Sequence, residues 1–357
     1  MTENLLIIYG AFFIAALVFS LIINRFLLKF AKTLGIRNSG ETIIRWSATS
    51  KPSLGGISFY IVFLFSVILI SFIFPDGTVF FNLQSLGILG VVTLGFLLGL
   101  FDDAWNTKPW IKFFTQMICG VFLIVTGTYI QIFESNLFNY LLTLFWVVGM
   151  MNSINMLDNM DGITAIVSFA IAVTIFTGIL LRNELQNPIL VIILGLMAVL
   201  IAFLYYNWNP SKMYMGDTGS QFLGVLLALL GIIFFWNGEG FSIDSTPLMR
   251  FITVAIIFAL PIIDTTTVFY KRIAKGGSPF VGGKDHTTHH LSYLGLSDRS
   301  VALVFTGISI LSLAFTIIFT QFISKWALIH HIILVAYFII LFGFLFIVGN
   351  MNKRLSQ

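Results

Sequence analysis

Apolar residues run along this chain in stretches near the length that crosses a hydrocarbon core of roughly 30 Å, with polar residues gathered between them. Eleven such stretches are predicted: Leu5–Leu28, Leu54–Phe74, Leu83–Phe101, Ile111–Ile130, Leu137–Met156, Ile163–Leu181, Ile189–Tyr206, Gly219–Trp236, Leu248–Phe269, Val301–Phe322 and Ala327–Gly349. The expected fold is an all-α polytopic integral membrane protein with eleven transmembrane helices and a single membrane-embedded domain over residues 1–357. Composition agrees, since 58% hydrophobic and 10% charged residues lie outside the range of soluble domains.

Charge orients the helices. Sixteen of the nineteen lysines and arginines fall in alternate, same-side segments, and only Arg182, Arg250 and Lys325 lie opposite. By the positive-inside rule the N-terminus is then outside and the C-terminus cytoplasmic. The first stretch has no basic leader and carries its positive charge after it, which fits an anchor rather than a cleaved signal. The net charge of +4 follows from this topology, and no basic stripe with interleaved aromatics points to nucleic acid. One cysteine, Cys119, excludes an internal disulfide and a cysteine-based zinc cluster.

The acidic residues then sort by side. Asp102 and Asp103 in GLFDDAW close the third span, Asp158 and Asp161 join the fifth to the sixth, and Asp217 in MGDTGS opens the eighth. Asp285 lies in the last long loop, and Asp264 about one turn inside the same end of the ninth span. Asp217 is placed either to cap a helix N-terminus or to serve a ligand. Asp102 and Asp103 sit at a helix C-terminus, where the macrodipole disfavours anions, so they call for a cation. Adjacent helical side chains diverge by about 100°, so distinct roles are expected of the two.

The stretch MNSINMLDNMDGIT places Asn152, Asn155, Asp158 and Asp161 at intervals of three. Four such steps drift about halfway round a straight helix, so a helix end with an irregular turn at Gly162 would converge them better. Such backbone is tolerated at membrane depth only around a protein-lined cavity, where ionisable groups default to function. In GGSPFVGGKDHTTHHLSYLGLS, glycines before Lys284 suggest a loop that approaches phosphate. His286 and His290, four apart, would share a helical face, yet the oxygen-rich acids suit magnesium better than zinc.

KPSLGG, GLFDD, NxxNxxDNMDG, NxxPSKxYMGDTGS, PxxDT and DHTTHH occur here in the order seen in polyprenyl-phosphate N-acetylhexosamine-1-phosphate transferases, which the chain resembles from about Lys51 to Leu296. Eleven spans match the branch acting on UDP-N-acetylglucosamine, and the ten-span phospho-N-acetylmuramoyl-pentapeptide transferase is the nearest alternative. Many sugar-type members carry His-x-His-His, whereas here His286 stands one residue further from His289 and His290.

The resemblance implies a cell-membrane enzyme with a cytoplasmic site that moves a sugar phosphate from a UDP-N-acetylhexosamine to a polyprenyl phosphate lipid, releasing UMP. The implied cofactor is Mg2+, with Mn2+ as its substitute. Asp217 would be the principal metal ligand, joined by one carboxylate from Asp102, Asp103, Asp158 or Asp161, with Asp158 expected on the metal. The same four carboxylates are the catalytic candidates, Asp102 or Asp103 acting as base or orienting the lipid phosphate. Lys112, Lys284, His286, His289 and His290 would engage phosphates, Asn155 and Asn207 the nucleotide, and Asp264 would shape the site. Homodimerisation is left open. An ion-coupled transporter is the alternative of another class, but its aspartates should lie near mid-membrane, whereas here every acidic motif hugs one surface.

Overall fold

The computed structural model describes residues 2–31, 51–74, 82–242, 244–278 and 283–351. Of the basic residues that set the expected topology, Lys32, Arg37, Arg45, Lys353 and Arg354 lie outside the described residues. The chain forms α1 (Thr2–Phe30), α2 (Gly55–Ile73), α3 (Leu83–Trp105), α4 (Pro109–Val125), α5 (Asn136–Leu157), α6 (Ile163–Leu181) and α7 (Ile189–Asn207). There follow α8 (Gly216–Gly231, continued as a π-helical turn over Ile232–Trp236), α9 (Pro247–Ile257), α10 (Ala259–Ala274) and α11 (Thr287–Tyr293). Last come α12 (Asp298–Ile317, with a π-helical turn over Ile318–Phe322) and α13 (Leu328–Met351).

The membrane-protein class is plain in this architecture, but its helices depart from eleven equal spans. Among the described residues nine helices are long and apolar enough to cross a membrane, or ten if the bent pair α9–α10 is one span. The expected span Leu248–Phe269 is broken at Phe258, where α9 and α10 meet at 78°. Pro261 explains the break: it has no N–H to give the Ile257 carbonyl, and its ring collides with that carbonyl in a continuous helix. The expected span Ile111–Ile130 stops short because Gly127 adopts a left-handed φ of 87°. Thr128 N–H then donates to the Leu123 carbonyl and Gly127 N–H to that of Ile124, a Schellman closure that ends α4 after 17 residues.

The most enclosed element is α8, whose apolar window is wholly buried among α2, α3 and α5. Glycine permits this proximity. A Cβ on Gly99 of α3 would strike the Asp217 carbonyl, and one on Gly56 of α2 would strike the Gly219 amide. In a bilayer, where lipid tails are as apolar as leucine, such close backbone packing is a principal source of helix association. The KPSLGG segment adds a short strand-like pairing, with Gly55 and Gly56 N–H donating to the carbonyls of Tyr214 and Met215, and Tyr214 N–H to that of Pro52. Two motifs far apart in sequence thereby become neighbours at one end of the bundle.

Candidate active site

The α3 terminus is shaped by its own aspartates. Asn106 turns left-handed at φ 51°, and Thr107 folds back so that its N–H and hydroxyl donate to Asp102 Oδ1 at 2.9 and 2.7 Å. The other Asp102 oxygen pairs with Lys112 of α4, whose ammonium also lies 3.6 Å from Asp217 Oδ2. Lys112 is thus the cation that the carboxylates at this helix end required.

Asp103 points elsewhere. Its oxygens accept from the N–H of Asp217 at 3.1 Å, the N–H of Thr218 at 2.8 Å and the Thr218 hydroxyl at 2.7 Å. A carboxylate from α3 therefore caps the N-terminus of α8 across the helix boundary, where backbone N–H groups and the dipole favour an anion. The capping leaves Asp103 little capacity as a free base. Its effect is to hold Asp217, which remains 36% exposed in its side chain while Asp102 is 2% exposed. Asn155 of α5 completes this centre, its Nδ2 donating to Asp217 Oδ1 at 2.7 Å and to the Ser220 hydroxyl at 2.8 Å.

The irregular turn between α5 and α6 forms at Gly162, left-handed at φ 79°, but it does not converge the polar groups: Asn152 bonds Gln116, Asn155 bonds Asp217 and Asp161 bonds Ser211. Asp158, half-buried, is the residue at which α5 ends. Asp161 accepts from the N–H and hydroxyl of Ser211 at 3.0 and 2.7 Å, and from Asn209 at 3.1 Å, with Lys51 at 3.9 Å. Asn207 is 3% exposed, and its amide is taken up between Gly162 N–H and the Met213 carbonyl, both at 2.8 Å. Its amide joins the Gly162 turn to the Met213 segment.

A second cluster is built on α10 and α11. Fully buried Asp264 meets His286 Nδ1 at 2.8 Å, and its other oxygen accepts from the N–H and hydroxyl of Thr287 at 2.8 and 2.7 Å. His286 is the N-cap residue of α11, in extended backbone, so it does not share a helical face with His290. The expected i, i+4 pair is corrected accordingly. Thr288 donates to Asn159 Oδ1 at 2.5 Å, tying α11 to the acidic turn. Burial and the neighbouring His286 hold His289 down at about 4, and burial with Lys271 nearby holds His290 at about 4. Both imidazoles are therefore neutral near pH 7 and can offer hydrogen bonds, not charge. Lys284 is exposed, next to the bidentate Arg272–Asp285 pair at 2.9 and 2.7 Å.

The donor set suits a hard divalent cation. Asp102 and Asp217 are gathered on one ammonium, and Mg2+ takes one or two carboxylates together with substrate phosphates rather than a closed protein cage. Among the described residues no three His, Cys, Asp or Glu side chains form such a cage.

The model of glycosyl transferase family 4 matches residues 85–235, which hold the whole carboxylate centre. A probable undecaprenyl-phosphate N-acetylglucosaminyl 1-phosphate transferase of Bacillus subtilis is 31% identical over 71% of this chain and 69% of its own length. The chain belongs to this family. A decaprenyl-phosphate N-acetylglucosaminephosphotransferase of Mycobacterium leprae is 30% identical over 76% of the chain and 74% of its own length. A phospho-N-acetylmuramoyl-pentapeptide-transferase of Streptococcus thermophilus is 26% identical over 70% and 76%. Within the family frame, several partners escaped reading from sequence: Thr107 holds Asp102, Thr218 holds Asp103, and Ser211 and Lys51 hold Asp161, while Thr288 and Asn159 pair with each other. Of these, Lys51, Asn159, Ser211, Thr218 and Thr288 carried a signal, through the motifs KPSLGG, DNMDG, PSK, GDTGS and DHTTHH, whereas Thr107 carried none.

Proposed function

We propose that this protein transfers N-acetylglucosamine 1-phosphate from a UDP-sugar to undecaprenyl or a similar polyprenyl phosphate and releases UMP. The observation that carries the reading is the Lys112–Asp102–Asp217 group, which sets two carboxylates and an ammonium at one end of the bundle with Asp217 partly open. The activities for which the relatives are named agree with it.

In the reaction a phosphate oxygen of the lipid bonds to the β-phosphorus of the donor. The bond from that phosphorus to the oxygen bridging the α-phosphate breaks, and UMP departs with that oxygen. No proton need be removed, because the lipid phosphate is already largely ionised near neutrality. A divalent cation held by Asp217 with Asp102 would mask the charge of both phosphorylated substrates and polarise the β-phosphorus. Lys112 supplies a charge-assisted donor to phosphate oxygens. Asn155 orients Asp217, Asp103 fixes the α8 terminus, and Asp158 lies at the turn beside them. His289, His290 and Lys284 lie on the arm that would close over the diphosphate, with His286 set by Asp264.

The same reading has the chain cross the membrane eleven times with its N-terminus outside. Helix α4, about 26 Å long, carries Lys112 of the site in its first turn, while Tyr129 and Gln131 just beyond its far end bond Asn237 at the opposite end of the bundle. The bent pair likewise runs from Arg250, near the Trp236 carbonyl, to Asp264 in the site. The site then faces the cytoplasm, where UDP-sugars are made.

Membranes containing the protein should convert radiolabelled UDP-N-acetylglucosamine and undecaprenyl phosphate into a labelled lipid with release of UMP, reversibly blocked by a chelator. Label from UDP-N-acetylmuramoyl-pentapeptide instead would transfer the reading to the other branch, and activity in chelator would remove the metal. Cysteine reporters at Ser278 and Asn237 should label from opposite faces.

A further inference from the structure

One helical turn beneath the proposed site lies a second polar layer built on the same three helices. Gln116 stands four residues beyond Lys112 on α4, Asn152 three before Asn155 on α5, and Gln221 four beyond Asp217 on α8. Given the direction in which each helix runs, all three steps lead away from the loops and into the bundle. Their amides meet: Asn152 Nδ2 donates to Gln116 Oε1 at 2.7 Å, and Gln116 Nε2 donates to Gln221 Oε1 at 3.1 Å and to Asn152 Oδ1 at 3.4 Å. Gln116 is 0% and Gln221 1% exposed.

Three amides at this depth need a reason. Each exposes donors and acceptors that an apolar surrounding penalises unless they are paired, and leucine or methionine would fill the same volume without that demand. What amides provide that leucine does not is direction, because a hydrogen bond between side chains fixes rotation and sliding of one helix against another. They do so without charge, beneath a centre that already holds Asp102, Asp103 and Asp217 against a single lysine. Asn152 also donates to the Val148 carbonyl of its own helix at 2.8 Å, which anchors the layer to α5.

We propose that Gln116, Asn152 and Gln221 are positioning residues that set the register of α4, α5 and α8, and through it the placement of Lys112 and Asn155 on Asp217. The inference rests on the transferase reading of that site. It assigns a use to Asn152, the member of the NxxN pair that does not reach the carboxylate centre.

The test is a double-mutant cycle in the full-length protein, using Gln116→Met, Gln221→Met, Lys112→Ala and the Lys112→Ala/Gln116→Met pair. Gln116→Met should lower kcat about tenfold, the smaller end of the range for partners that orient a ligand, with KM for the UDP-sugar within about twofold and unchanged thermal unfolding in detergent. In the Lys112→Ala background Gln116→Met should have little further effect, since residues acting through one group are strongly non-additive. If the two losses multiply, or if Gln116→Met keeps wild-type kcat while Lys112→Ala loses transfer, the positioning layer is wrong and the site reading stands. If Lys112→Ala itself retains wild-type transfer, both fall. Gln221→Met gives the same reading from α8 should Gln116→Met fail to insert.

Discussion

The two ends of the bundle use similar polar groups for different ends. Opposite the site, Arg182 donates to the Gly240 carbonyl at 2.9 Å and grips Glu184 through two nitrogens, while Asn139 accepts from the N–H of Ile132 and Phe133 and donates to the Phe133 carbonyl. Asn237 likewise bridges Gln131 N–H and the Tyr129 carbonyl. These side chains close loops by satisfying backbone groups that would otherwise be stranded near lipid. At the site end, side chains from separate elements face one another, as with Lys112 between Asp102 and Asp217 and Thr288 of α11 on Asn159 of the α5–α6 turn. A polar residue saturated by nearby backbone maintains the fold, whereas carboxylates converging from several helices with one left partly open are arranged for a ligand.

The largest effect that would test this contrast is at Asp217. Asp217→Asn should cut transfer by more than about a hundredfold, beyond the range for outer partners of a ligand, with membrane insertion and thermal unfolding close to wild type. Retained transfer in that variant would erase the distinction between the ends.

Asp103→Asn sharpens it. Because Asp103 binds the α8 terminus, the variant should lose roughly ten- to a hundredfold in kcat and also about 1 kcal/mol of stability, since an amide keeps one acceptor oxygen where two now take up three donors. A kcat loss with no change in unfolding would return Asp103 to direct chemistry.

Acid pH should act on the site end. His289 and His290 sit at about 4 in the folded protein against an ordinary value of 6.5, so the unfolded chain takes up more protons between those limits. Stability is therefore fully present above about pH 6.5 and declines as pH falls toward 4, by up to about 1.4 kcal/mol per unit for each histidine. Thermal unfolding against pH should show this slope flattened in His289→Gln or His290→Gln, and an unchanged slope in both would count against their burial.

The smallest effect on turnover belongs to the far end. Arg182→Ala should lower stability by about 1–3 kcal/mol through lost charge-assisted hydrogen bonds while kcat/KM per folded molecule stays at the wild-type value. A selective loss of turnover would show that the two ends are coupled.

Much of the protein is legible in its sequence because the bilayer imposes a strong rule: a spanning helix must be long and apolar, and ionisable groups between such helices are costly enough to be informative. That rule located most of the helices, and the spacing of polar residues located the irregular turn at Gly162. Local chemistry also explains, after the fact, where it failed, since Pro261 and Gly127 were visible but lay within runs whose hydropathy masked them. What only the tertiary structure decided is which polar group meets which. Asp102 and Asp103 are adjacent in the chain, yet one pairs with Lys112 and the other caps α8. Asn207 and Asn155 look alike, yet one is locked between loops and the other holds Asp217. Hydropathy depends on residue type and spacing, which the chain carries locally. Hydrogen-bond partnership depends on the rotation and approach of helices more than a hundred residues apart, as between Asp103 and Thr218, and these arise only when glycines such as Gly99 and Gly56 let the helices close.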